Sequence, residues 1–314
     1  MKIVVLSGGV GGARFLRGLR SAAAGSELTA IVNVGDDMWL TGLRICPDLD
    51  SIMYTLAGVN DEQRGWGRVG ESERVSGELR EYGVGWPWFT LGDLDLGTHI
   101  ARTHYLRSGI PLSEATARLA SRWDLGVRLL PATDDEAETQ VVLADGGSLH
   151  FQEWWTRHRA ALPTRAFVYP VGSSKPAPGV LEAIVSAHVI LIAPSNPVVS
   201  IAPILAIPGI RDALSAARAP IVGVSPIISG AVVRGMADAC LTAIGVATAA
   251  DAIALHYGAR SRGGLIDAWL VDETDAALTS AIEAAGIRAS AVPLWMRDLP
   301  SSAALATAAL AAAK

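Results

Sequence analysis

One stretch near the N-terminus, Ser7-Gly8-Gly9-Val10-Gly11-Gly12-Ala13, has the make-up of an anion cradle. Glycines between a strand end and a helix start let backbone N–H groups approach a phosphate closely, and the helix dipole adds attraction. Gly8, Gly9, Gly11 and Gly12 are therefore candidate phosphate contacts. The segment is not a dinucleotide fingerprint, because Arg14 stands where the third glycine belongs. It is not a Walker loop either, because no Lys-Ser/Thr pair follows. Arg14 and Arg17 either add positive charge or form a solvated helix face.

Acids come next. Asp36 and Asp37 close a second strand, and Pro47-Asp48-Leu49-Asp50 opens a helix. Carboxylates at strand C-terminal ends sit where α/β folds place ligands. Hard oxygens beside a diphosphate suggest Mg²⁺, which keeps most of its waters and uses few carboxylates. Helix capping is the competing role for Asp48 and Asp50. Asp37 also sits where a nicotinamide enzyme holds its ribose, so an NAD(P)-dependent oxidoreductase stays open from this feature.

Further polar groups follow in Leu91-Gly92-Asp93-Leu94-Asp95-Leu96-Gly97-Thr98-His99. His99 could act as an acid/base or as a structural hydrogen-bonder. Ser195 and Asn196, between Pro194 and Pro197, follow an apolar strand, as does Ser225-Pro226. Short polar side chains there meet a ligand or form local turns. Nine tryptophans, Trp66 among them, could stack on a planar heterocycle, though core packing is the ordinary role of any one. No His-Glu-x-x-His site, cysteine cluster or Gly-x-Ser-x-Gly elbow is present.

These residues need a scaffold. Lys2–Leu6, a helix over 13–24 and Leu28–Val34 make a βαβ unit, which implies a parallel sheet. Apolar runs over 187–193, 221–224 and 265–271 suit strands covered on both faces. From about Asn60 to Arg122 the periodicity is helical, with Ser113 placed as an N-cap. Asp145-Gly146-Gly147 signals a hairpin between 139–143 and 148–152. The expected fold is α/β: a Rossmann-like, three-layer, mostly parallel sheet with a mainly helical insertion. Residues 1–60 and 125–314 would form the nucleotide-binding core, and 61–124 an insertion over an acceptor site. The formal charge of −5, without a basic run, argues against nucleic acid. No uncharged apolar run nears the ~20 residues of a spanning helix, so no membrane role is expected. Two distant cysteines suit a reduced, cytoplasmic protein.

Taken in order, the motifs resemble the 2-phospho-lactate transferase family of coenzyme F420 biosynthesis, in its actinobacterial branch. The matching segments run from Ser7–Leu16 through Val32–Asp37, Cys46–Asp50, Arg64–Gly67, Leu91–Asp93, Ala132–Asp135 and Phe151–Trp155. Ala193–Pro197, Ser225–Ile228 and Arg234–Asp238 complete the set. The resemblance implies transfer of a phosphorylated three-carbon acid from a guanosine diphosphate-linked donor to the ribityl hydroxyl of the deazaflavin Fo, with release of GMP. Enolpyruvate is the acid expected in this branch, with lactate the alternative. A homodimer and Mg²⁺ are also implied, with Asp36 and Asp50 as metal ligands. Donor contacts fall on the four glycines, Asn33, Ser195, Asn196 and Pro226. Substrate contacts fall on Asp36, Asp37, Asp48, His99 and Trp66, and Asp50 and Asp93 are the candidate catalytic carboxylates. One position departs from the family pattern: Leu94 replaces an arginine. A nucleotide-binding regulator without turnover is the remaining rival.

Overall fold

The computed structural model describes residues 1–314. Seven short strands pair into one sheet, all in parallel. They are β1 (Lys2–Ser7), β2 (Glu27–Val32), β3 (Arg128–Pro131), β4 (Val189–Ile192), β5 (Ile221–Val224), β6 (Ala268–Val271) and β7 (Arg288–Ala291). Their order across the sheet is β7-β6-β5-β4-β1-β2-β3. The expected doubly wound sheet is therefore present. Its inner strands read as unbroken apolar runs, such as Val189-Ile190-Leu191-Ile192, because helices cover both faces. The two edge strands, β3 and β7, escaped the sequence reading. β3 opens on exposed Arg128 and closes on Pro131, and in β7 exposed Arg288 and Ser290 alternate with half-buried alanines, so neither shows a clear apolar run.

Helix α1 (Gly9–Ala22) starts at the glycines themselves, four residues earlier than expected. It packs against α2 (Pro47–Ala57) and against the C-terminal helix Leu299–Ala312. Gly18 makes the second packing possible, since a Cβ there would overlap the Ser302 backbone. Pro47 at the first position of α2, with Asp48 and Asp50 in its first turn, suits a helix N-terminus. The C-terminal helix has a full capping box between Asp298 and Ser301.

Between β2 and β3 lie α3 (Arg74–Glu81), α4 (Asp93–Arg107) and α5 (Leu112–Ala120). A hairpin of Met38–Leu40 and Leu43–Ile45, unseen in the sequence, shares a small apolar cluster with Leu91 and Leu96. Ser113 is not a cap: it lies inside the first turn of α5, where its N–H and hydroxyl both donate to Asp134. The hairpin around Asp145-Gly146-Gly147 forms as expected and gains a third strand, Thr164–Val168. No single helix is long and apolar enough to cross a membrane.

Candidate active site

Strand order reverses between β1 and β4, and the turns that follow these strands face each other there. A doubly wound sheet opens its ligand crevice at this point. Gly8 precedes α1 in extended backbone, and Gly9 takes a left-handed φ of 63°. The Gly8 N–H donates to the Ser195 hydroxyl at 3.2 Å, and that hydroxyl donates to the Gly8 carbonyl at 2.7 Å. A Cβ at Gly11 would overlap the Pro194 carbonyl, and one at Gly12 would overlap the Ser7 hydroxyl. Close approach of two protein turns thus explains Gly11 and Gly12. Ser195 is committed to this clasp. The Asn196 carbonyl likewise caps the turn Pro197–Ile201, accepting from the Val198 and Val199 N–H groups.

Beneath the glycines lies a carboxylate pair. The Asn33 amide donates to Asp36 at 2.8 Å and to Asp48 at 2.9 Å. All three are buried. Asn33 is therefore a brace between the acids. Burial first, then the Asp48 charge, push the Asp36 carboxyl well above the usual carboxylate range. Burial raises Asp48 to about 6, against the hydrogen bonds from Asn33 and the Gly9 N–H.

On the far side of α2 lies a cavity of about 380 Å³. Trp66, Trp88, Phe89 and Trp155 supply its aromatic walls, and Asp50, Tyr54, Asp95 and His99 its polar one. Arg102 grips both oxygens of Asp50, one of them at 3.0 Å. His99 lies between two acids, with Nδ1 3.5 Å from Asp50 and Nε2 3.2 Å from Asp95. The Tyr54 hydroxyl donates to Asp95 at 2.7 Å. Burial alone would raise Asp95, but the neighbouring His99 and the Tyr54 hydrogen bond hold it below the usual range. Ligand atoms of Asp50, Asp95 and His99 all fall within 4.8 Å of one another, as a cation site requires. Arg102 leaves lone pairs on the Asp50 oxygens, so the two carboxylates, rather than His99, are the donors a hydrated Mg²⁺ would use.

Several expected residues lie elsewhere. Asp93 is exposed at the start of α4, where it accepts from the Ser72 N–H and hydroxyl and stays outside the cavity. Its neighbour Asp95 lines the wall instead. Asp36 stands outside the three-residue cation cluster. It is tied to Asn33, with a long 3.5 Å contact to the Gln152 amide. Asp37 is fully buried with Arg44 3.7 Å away, and burial raises its carboxyl to about 7. A carboxyl so enclosed cannot hold a ribose, and the nicotinamide reading loses its main support. Pro226 is half-buried at the end of β5, in a turn whose Ser225 hydroxyl bonds Ile227. Asp95, His99 and Arg102 share one face of α4 by their spacing of four and three. That spacing was the signal available for Asp95 and Arg102.

The chain matches the family model of 2-phospho-L-lactate transferase CofD over residues 3–293. It is 55% identical to a protein of Streptomyces griseus named phosphoenolpyruvate transferase, covering 99% of this chain and 98% of that one. A protein of the same name from Thermobifida fusca is 55% identical, over 99% and 97% of the two chains. A third, from Nocardia farcinica, is 53% identical, over 98% and 94%. Among solved structures, a UPF0052 family member from Bacillus halodurans superposes with a TM-score of 0.64 at 20% identity, covering 98% of both chains. That likeness carries the fold. With the family model spanning nearly the whole chain and relatives above half identity, the protein belongs to the 2-phospho-L-lactate transferase CofD family and is an enzyme, a transferase of coenzyme F420 biosynthesis.

Proposed function

We propose that the enzyme transfers the phosphoenolpyruvyl group of a guanosine diphosphate-linked donor to the ribityl hydroxyl of Fo and releases GMP. One observation carries this reading. An aromatic cavity with two carboxylates on its wall adjoins the cleft at the glycine turn, sharing Ser51, Trp66 and Gly67 with it. The donor phosphates would lie at the start of α1, where the cleft meets Val10, and the deazaflavin ring in the space among Trp66, Trp88, Phe89 and Trp155. The name phosphoenolpyruvate transferase on the three relatives supports enolpyruvate as the transferred acid.

Transfer to a neutral alcohol needs positioning and charge neutralisation more than covalent help. Asp95, kept ionised, would accept the proton of the attacking hydroxyl. Asp50, oriented by Arg102, would bind Mg²⁺ directly or through its waters. The ion would neutralise charge on the transferred phosphate. His99 would fix the spacing of the two acids.

The test is one incubation of the protein with Fo, Mg²⁺ and either the enolpyruvyl or the lactyl guanosine-linked donor, read by mass spectrometry. A phosphodiester of Fo together with GMP is the expected product. Donor consumption without any Fo adduct would overturn the reading.

A further inference from the structure

The cleft beside the glycine turn holds an unbalanced set of charges. Val10, Ser51 and Trp66 line it together with Arg14, Glu62 and Arg234. The one acid, Glu62, is taken by Arg17 at 2.5 Å. The nearby Arg64 is occupied by Asp61, Glu71 and Glu73. Arg14 and Arg234 have no carboxylate partner; the only hydrogen bond of either side chain runs from Arg234 to the Arg64 carbonyl at 3.4 Å. Burial first and then the Arg234 charge lower the Arg14 pKa, while Glu62, shared with Arg17, offsets part of this. A protein of net charge −5 thus gathers two unpaired guanidinium groups in one cleft.

The turn at Gly65 leaves room for Arg234. Gly65 has a φ of +83°, and a Cβ on it would overlap the Arg234 guanidinium. Three arginines, Arg14, Arg17 and Arg234, share the single acid Glu62 here, with Arg234 open to solvent, and guanidinium forks suit carboxylate and phosphate oxygens. The position selects the anion. The cleft touches the glycine turn through Val10 and the aromatic cavity through Ser51, Trp66 and Gly67. With the donor and acceptor placed as proposed above, it lies between the two.

We infer that Arg14 and Arg234 form a clamp for the acidic end of the transferred three-carbon acid. The inference rests on the donor and acceptor placement proposed above. A carboxylate and a phosphate are both within its chemistry, and the test separates them.

Phosphoenolpyruvate and, separately, inorganic phosphate are titrated calorimetrically into the full chain saturated with GMP and Mg²⁺. The wild type is compared with Arg14→Gln and Arg234→Gln, and GDP is titrated into all three. Neither arginine is a core residue, and melting curves check that each variant is folded. Each variant is expected to bind phosphoenolpyruvate at least about tenfold more weakly, the scale of one charge-assisted contact, with GDP affinity unchanged. A loss confined to phosphoenolpyruvate assigns the clamp to the carboxylate, and an equal loss for phosphate assigns it to the phosphoryl group. Unchanged phosphoenolpyruvate affinity, no binding by the wild type, or a parallel loss of GDP affinity would overturn the clamp. Transfer to Fo is scored separately. Its failure would count against the acceptor assignment and leave the binding result intact.

Discussion

Ser195 and Gly8, 187 positions apart, bond each other twice, so the turns after β4 and β1 are clasped by one hydroxyl. The Gly8 N–H is consumed in that clasp. The Gly9 N–H is turned to Asp48, so anion binding by the turn must rest on the N–H groups that follow, beginning with Val10. Ser195→Ala would leave a buried N–H and a buried carbonyl without this partner, at a cost of about 1–3 kcal/mol. The expected result is a lower melting temperature and a raised KM for the donor, with the KM for Fo unchanged. Steady-state kinetics with each substrate varied in turn will check it, and a KM shift for Fo alone would contradict the assignment.

Asp50 and Arg102 are a buried ion pair, and neither can be removed singly without stranding the other. Asp50→Asn and Arg102→Gln are each expected to cost about 3–5 kcal/mol of stability. The double substitution should cost less than the sum, because no charge is left unpaired. Urea unfolding of the four proteins measures this coupling. Activity should stay low in all three variants, since the Asp50 carboxylate is missing or misoriented.

Stability should fall with rising pH where Asp37 titrates. Its folded value is raised to about 7, mainly by burial, against an ordinary 3.8. Between those values the folded state holds a proton that the unfolded state has lost, so the gain from this group is full below the lower value and lost as pH rises through 7. Asp37→Asn is expected to stabilise the protein at pH 8 by something on the order of 1–3 kcal/mol and to change little at pH 4. Chemical denaturation at the two pH values decides the matter. A variant less stable at pH 8 would show that the ionised form is needed by Arg44.

Trp88→Ala and Trp66→Ala remove stacking faces from the cavity. A stacked aromatic base is worth about 1–3 kcal/mol, so Fo should bind about five- to a hundredfold more weakly. GDP affinity should be untouched by Trp88→Ala. Quenching of tryptophan fluorescence by Fo reads both.

The family resemblance read from the sequence expects arginine at the position of Leu94. Its side chain is 41% exposed at the start of α4, and its carbonyl accepts from Arg68 at 3.4 Å. Leu94 is not among the residues lining the aromatic cavity. Leu94→Arg is therefore expected to leave the dissociation constant of Fo within about twofold, and a marked tightening would bring this loop into the acceptor site.

The sheet was readable because its inner strands are buried on both faces, which writes a continuous apolar run into the sequence. Edge strands β3 and β7 carry no such run. In the site, the glycine turn stood out, yet the reason for two of its glycines did not: Gly11 and Gly12 answer to Pro194 and Ser7, one of them 183 residues away in the chain. Asp50 was recognisable from its place in the first turn of α2, whereas its partner Arg102 lies 52 positions on and sends no local signal. The choice of Asp93 over Asp95 failed for a helical reason. Only Asp95 shares a face with His99, and Asp93 is spent on Ser72.

The C-terminal helix Leu299–Ala312 lies against α1, the helix that carries the glycine turn, with Gly18 and Ser302 in backbone contact. The Ala-rich tail, the plainest stretch of the sequence, thus braces its most chemical one. During synthesis the nascent N-terminal βαβ unit can emerge long before its brace exists. The glycine turn therefore gains this brace only once residues 299–312 have followed it out of the ribosome.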